Sequence, residues 1–242
     1  MSLLLAAGGP VLPNFGSGPC PGAEKNALFC SNWFTQNWGS TLWPALVQHV
    51  LLTAVAIVIG FIISTALALL AYRVNWVERP ILIVTSILYT IPSLALFELL
   101  VNVPGLGLST TTVELALVSY TLLILFRNTL TGLRDVPGEV RDAARGMGMS
   151  DRESLLRVEV PLALPAIIAG VRIAVVTVIS LATIGAFLIH QGLGSPIFDA
   201  VTNNGGFKTE LISAGALAII LALFADGLFV LLQRVLTPWA RA

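Results

Sequence analysis

The sequence predicts an all-α membrane protein, a polytopic bundle of five core transmembrane helices with its N-terminus outside and its C-terminus inside. Three observations carry that prediction. The 242-residue chain is 56% hydrophobic and 11% charged, with a mean hydropathy of +0.90, whereas a soluble domain carries roughly 25% charged residues. Five apolar segments, at about 45–71, 80–101, 111–133, 162–189 and 211–233, each approach or exceed the roughly 20 residues that cross about 30 Å of hydrocarbon. The basic residues, finally, crowd one side. With the N-terminus outside, Arg73, Arg79, Arg127, Arg134, Arg141, Arg145, Arg152, Arg157, Arg234 and Arg241 lie in or beside the inner loops, which is ten of the thirteen. Only Lys25 and Lys208 fall outside, and Arg172 lies within a span. Loop Lys and Arg set membrane orientation, so the bias fixes the expected topology.

Residues 1–40 differ from the rest, being rich in Gly, Pro and Asn, and form an expected extracytoplasmic arm ahead of a membrane domain at 41–242. Residues 2–7 are too short for a signal-peptide core and lack a basic flank, so no cleaved signal is read. Both cysteines, Cys20 and Cys30, lie in the arm. On the outer face a Cys20–Cys30 disulfide is expected, the competing reading being two free thiols. Trp33, Trp38 and Trp43 read as an outer aromatic belt before the first span. His49 reads as a polar residue at that interface. No second His or Cys lies at metal-ligand spacing, so no metal site is expected.

Span two contains SILYTIPSLALFELL, with Pro92 near its middle. Proline removes a backbone donor and kinks a helix, leaving carbonyls for neighbours or cavity water to satisfy. The hydroxyls of Tyr89, Thr90 and Ser93 beside the kink suggest a pore wall, continued by Thr183 and Gln191 near the end of span four; the alternative is a kink that serves packing alone. NVPGLGLST then makes an outer turn in which Gly105 and Gly107 are free to take positive φ. Span three ends in Arg127 and Asn128 near the inner headgroups. The charged segment after it reads as two short helices over about 138–158. The first, 138–147, ends at Gly146 and Gly148. The second starts at Ser150, which forms a Ser-x-x-Glu capping box with Glu153. Pro161 and Pro165 punctuate the entry to span four.

Span four carries Arg172, about 15 Å beyond Leu162 at 1.5 Å per residue, and span five carries Asp226, about 12 Å from Arg234. Intramembrane charges face the bundle interior and find partners, which makes the two a candidate pair. The competing reading has Arg172 snorkelling to the headgroups.

In RDAARGMGMSDRESLLRVEVPLALP, Asp142, Ala143 and Ala144 are followed after three residues by Gly148, and after nine more by Val158, Val160 and Pro161. This spacing resembles the Glu-Ala-Ala coupling segment of ABC importer permeases, with Asp for Glu, Val for Ile and Val for Leu. LYTIPSLALFELL, LFRNTLTGLRDVPGEV and SLATIGAFLIHQGLGSPIF extend the likeness over roughly 45–235, and TIPSLA, RNT and ARGMGM narrow it to permeases of the glycine betaine, carnitine and choline type. The resemblance implies the five-helix type I permease fold in a bacterial inner membrane. It implies as partners a second permease, identical or homologous, two ATPase subunits and an extracytoplasmic binding protein, with no nucleic acid. Glu139, Asp142, Ala143, Ala144, Arg145, Gly148 and Arg152 are then expected to meet the ATPase, and the solute to pass Tyr89, Thr90, Pro92, Ser93, Thr183 and Gln191. No phosphate-binding Gly-x-x-x-x-Gly-Lys-Ser/Thr loop occurs, so no cofactor is expected in this chain, with ATP and magnesium in the partner ATPase. A methionine-type amino acid importer shares the five-helix core, and it or an importer of another small polar solute is the alternative within transport. A membrane enzyme is disfavoured, for neither His-Glu-x-x-His nor Gly-x-Ser-x-Gly occurs.

Overall fold

A computed structural model of the chain describes residues 27–204 and 206–241. Those residues form helices and turns, with no strand among them. Four helical stretches are long and apolar enough to cross a membrane: Ser31–Arg73, Thr110–Arg134, Asp151–Ile189 and Lys208–Leu236. The first joins α1 (Ser31–Asn37) through a π turn to α2 (Trp43–Arg73), so the helix begins inside the segment assigned to the arm. A fifth apolar stretch is split between α3 (Glu78–Thr90) and α4 (Ser93–Val101), which meet at 97°.

That break corrects the expectation of a kinked but continuous span two. Ile91, the residue before proline, sits at φ −64, ψ 129. Proline's ring crowds the preceding residue out of the helical region, and Pro92 itself is extended at ψ 136. The chain therefore stops one helix and starts another. The freed Ile91 carbonyl accepts the Tyr120 hydroxyl at 2.5 Å, and Tyr89 packs edge-on against the Tyr120 ring.

The centre of the bundle is α2, α5 (Thr110–Arg134) and α8 (Val160–Ile189). Ala45, Leu52, Ala56, Gly60, Ser64, Ala68 and Ala71 recur at helical spacing on the buried face of α2. Small residues let membrane helices approach closely, where lipid supplies no hydrophobic drive for association. A Cβ on Gly60 would lie 1.9 Å from Thr121 Oγ1 of α5, and one on Gly170 of α8 would lie 2.5 Å from Asn128 Cβ. Gly60 meets Thr121, and Ala68 and Ala71 pack with Phe126 and Leu130, so α2 and α5 run parallel. Contacts of Gly185 with Val113 and of Gly170 with Asn128 make α8 antiparallel to α5. Phe97, Val113, Leu117 and Val178 fill the core between these helices and α4. α9 (Gly194–Thr202) and α10 (Lys208–Leu236) complete the chain, and α10 packs along α8 with its other face open.

Two expectations about the start of the first span are corrected. Trp33 is buried against Phe207, ring centroids 5.5 Å apart, in a cluster with Leu42 and Ala214. It is a core residue, while Trp43 is the exposed member of the proposed belt. His49 is fully buried rather than interfacial. Its Nε2 lies 3.0 Å from the Ile179 carbonyl and its Nδ1 accepts the Leu193 N–H at 3.2 Å, which ties the turn after α8 to α2. Cys30 precedes α1 and is disulfide-bonded; Cys20 lies outside the described residues. Gly105 and Gly107 have φ of +89 and +56 in the turn before α5.

Candidate coupling surface and translocation face

Pro137 is extended and launches α6 (Gly138–Gly146), with Glu139 in its first turn and Arg145 in its last, both favourable to the helix dipole. The helix ends in a Schellman motif: Gly148 N–H bonds the Arg145 carbonyl at 2.9 Å and Met149 N–H bonds the Ala144 carbonyl at 3.1 Å. Gly148 has φ +85, and nothing lies within 4 Å of where its Cβ would stand. The glycine is required by the backbone and not by crowding. Glu139, Asp142, Ala143, Arg145, Gly148 and Arg152 are all exposed. Ala144 is not: it is 1% exposed and turned inward. Of the two alanines expected to face a partner, only Ala143 is therefore open to one, because the packing of α6 turns Ala144 inward.

The Ser150 capping box is formed, with Glu153 N–H on Ser150 Oγ at 3.4 Å and Ser150 N–H on Glu153 Oε2 at 3.0 Å. The Ser150 amide and hydroxyl hold the Glu153 carboxylate below its usual range. The helix that starts there, α7 (Asp151–Ser154), is not a separate short element. It continues through a π turn, Leu155–Glu159, into α8. The wider turn lies just ahead of Pro161, whose ring would crowd the carbonyl four residues back in a regular helix.

Beneath this surface lies a network that the motif spacing does not reveal. Glu159, 6% exposed, accepts the Tyr72 hydroxyl at 2.5 Å and the Ser154 hydroxyl at 2.8 Å. Arg141 donates to Tyr72 Oη at 3.0 Å and to the Val136 carbonyl at 3.1 Å. Arg134 forks onto Glu78 at 2.8 and 2.7 Å, joining the C-terminal end of α5 to the N-terminal end of α3. Arg145 lies 3.4 Å from Asp151 and 3.9 Å from Asp142, bridging the two arms of the turn. A cavity of about 520 Å³ opens between these groups and Arg73. One signal was available: Glu159 is a lone carboxylate between Val158 and Val160 on the apolar approach to span four.

The structure gathers four of the six expected path residues at the α3–α4 break. Tyr89, Thr90 and Pro92 are exposed there and Ser93 is half-buried. Thr183 and Gln191 lie elsewhere. Thr183 turns its hydroxyl to the Ile179 and Ser180 carbonyls of its own helix, and Gln191, in the turn after α8, accepts from Thr110 at 3.2 Å. Arg172 reaches Asp226 and not the headgroups. Its Nε and Nη2 donate to Oδ1 and Oδ2 at 2.8 and 3.0 Å, a planar two-bond fork. Both side chains stay about one third exposed, at 30% and 38%.

Residues 56–242 match the family described as the binding-protein-dependent transport system inner membrane component. The osmoprotectant import permease protein OsmW of Salmonella typhimurium is 38% identical over 195 residues, covering 79% of this chain and 89% of that protein. The carnitine transport permease protein OpuCD of Listeria monocytogenes is 35% identical, covering 85% and 91%. The choline transport system permease protein OpuBB of Bacillus subtilis is 32% identical, covering 85% and 93%. Among solved structures, an inward-facing form of the MetNI methionine ABC transporter superposes with a TM-score of 0.74 at 20% identity, over 84% of this chain and 98% of that one.

Proposed function

Because the chain belongs to the binding-protein-dependent transport system inner membrane components, and is thus a multi-pass ABC importer permease, we propose that its cargo is a quaternary ammonium osmoprotectant. The observation that carries this reading is the 32–38% identity, over most of the chain, to permeases named for osmoprotectant, carnitine and choline transport. Carnitine and choline share a trimethylammonium group. The likeness to the methionine transporter, at 20% identity, speaks to the fold alone.

In this reading two permeases, identical or homologous, sit on two ATPase subunits that hold ATP and magnesium, and a binding protein delivers the solute from outside. The N-terminus is outside and the C-terminus inside, in keeping with the ten-to-two bias of loop charge. Glu139, Asp142, Ala143, Arg145 and Arg152 dock in a groove on the ATPase, held in shape by the Gly148 turn and supported from beneath by Ala144. Nucleotide-driven closure moves this surface and opens the permease pair alternately to each side. The solute passes Thr183 and Gln191 at the end of α8 and the α3–α4 break at Tyr89, Thr90, Pro92 and Ser93. The test is ATP-dependent uptake into proteoliposomes holding the permease, its ATPase and its binding protein. Glycine betaine, carnitine or choline should enter and methionine should not; entry of methionine alone refutes the assignment.

A further inference from the structure

The open face of α8 within the membrane is not uniformly apolar. Ala169, Arg172, Ile173, Val176, Ser180 and Thr183 recur at steps of three and four, hence on one side of the helix. Ile173 and Val176 are 53% and 40% exposed. An ordinary lipid-facing stripe gains nothing from a guanidinium and hydroxyls, and intramembrane charges line cavities or protein. A cavity of about 420 Å³ lies on this face, walled by Ala169, Arg172, Ile173, Val176, Thr177 and Asp226. Small-molecule sites have this size and makeup, apolar walls with a few convergent polar groups.

The ion pair in that cavity is incompletely used. A guanidinium carries five N–H donors, and Arg172 gives two of them to Asp226. The other three have no partner among the described residues. Each Asp226 oxygen accepts one bond and keeps capacity for more. Thr177 is spoken for, donating to the Ile173 carbonyl at 2.8 Å.

We propose that this cavity is a binding station on the import route for a zwitterion that carries both a carboxylate and a quaternary ammonium group. The solute's carboxylate takes the free donors of Arg172, the one cation here with a flat fork suited to it. Its trimethylammonium group, which has no N–H to donate, lies by charge against Asp226 and by its methyl groups against Ile173 and Val176. The inference rests on the proposed function and adds to it the charge type of the preferred solute.

The test compares glycine betaine, which has the carboxylate, with choline, which lacks it. Uptake is measured in proteoliposomes of the full complex at saturating loaded binding protein, so that the binding protein's own affinity drops out. Arg172→Gln should lower the turnover of glycine betaine at least about tenfold more than that of choline, the scale of one charge-assisted bond. Because both solutes are measured on one preparation, partial loss of folded complex cancels in the ratio. If Arg172→Gln does not assemble, Arg172→Lys, which keeps the charge and loses the fork, supplies the ratio with the same sign. An equal fall for both solutes overturns the station and leaves the pair a structural contact. A wild-type complex that carries choline but neither betaine nor carnitine overturns it too, while sparing the proposed function. A complex that carries no quaternary ammonium solute removes the proposed function and this inference with it.

Discussion

Gly148→Ala is the sharpest probe of the coupling surface, because the structure isolates a single cause for its effect. Nothing lies within 4 Å of the added Cβ, so the methyl group meets no neighbour. The backbone at φ +85 places that Cβ against its own peptide, at a cost of about 1–2 kcal/mol for an L-residue in the left-handed region. The turn's two closing bonds, from Gly148 to Arg145 and from Met149 to Ala144, hold only in that conformation. A surface that must keep this shape to bind should lose up to about 5–30-fold in affinity for the ATPase. Gly146→Ala is the matched control. Gly146 also has open space around a Cβ but no positive φ, and alanine there is neutral or mildly stabilising to the helix. Titration of purified ATPase onto permease in nanodiscs, with ATP hydrolysed per solute moved as the second readout, separates the two. Equal affinities for Gly148→Ala and Gly146→Ala would refute the argument that the left-handed turn shapes the docking surface.

Three further outcomes are expected. Gly60→Val, which drives a side chain into Thr121, should destabilise the detergent-purified permease by about 1–3 kcal/mol, with partial rescue by Thr121→Ala; an unchanged melting temperature contradicts the close α2–α5 approach. Arg172→Met and Asp226→Leu should each destabilise more than the double variant does, since either alone strands a charge in the membrane; additive losses in the double-mutant cycle would sink the pairing. Cysteines placed at Thr90 and Ser93 should react with aqueous thiol reagents in at least one nucleotide state, and protection in every state moves the solute route away from the α3–α4 break.

Most of the spans are legible in the sequence because the bilayer imposes a length and a hydropathy that composition reports directly. The capping box at Ser150 and the positive-φ glycines at 105, 107 and 148 are legible for a different reason, since each rests on local backbone chemistry. Pro92 shows where reading stops. A proline signals an interruption, yet a turn through 97° also needs a tertiary donor for the freed Ile91 carbonyl, and the Tyr120 hydroxyl that supplies it lies 29 residues away. Ala143 and Ala144 are equivalent as letters, and only the packing of α6 shows which one turns in. His49 and Trp33 look interfacial by position along the chain, but α9 and the start of α10 fold over them, and that depends on contacts with residues 193 and 207. The Tyr72–Glu159–Arg141 network spans 87 residues of sequence, beyond the reach of any spacing rule.

The continuity of Asp151–Ile189 gives the molecule a mechanical property. Its 39 residues, with the π turn at Leu155–Glu159 among them, run for about 58 Å at 1.5 Å per residue. Glu159, gripped by Tyr72 and Ser154, stands eight residues from one end and thirty from the other. One unbroken main chain therefore joins the turn capped by Ser150 to the turn at His190–Leu193. At that far end Gly194 lies against the Thr183 carbonyl and His49 holds the Leu193 amide, so a load on Asp151 has a covalent path to that turn and needs no relay of side chains.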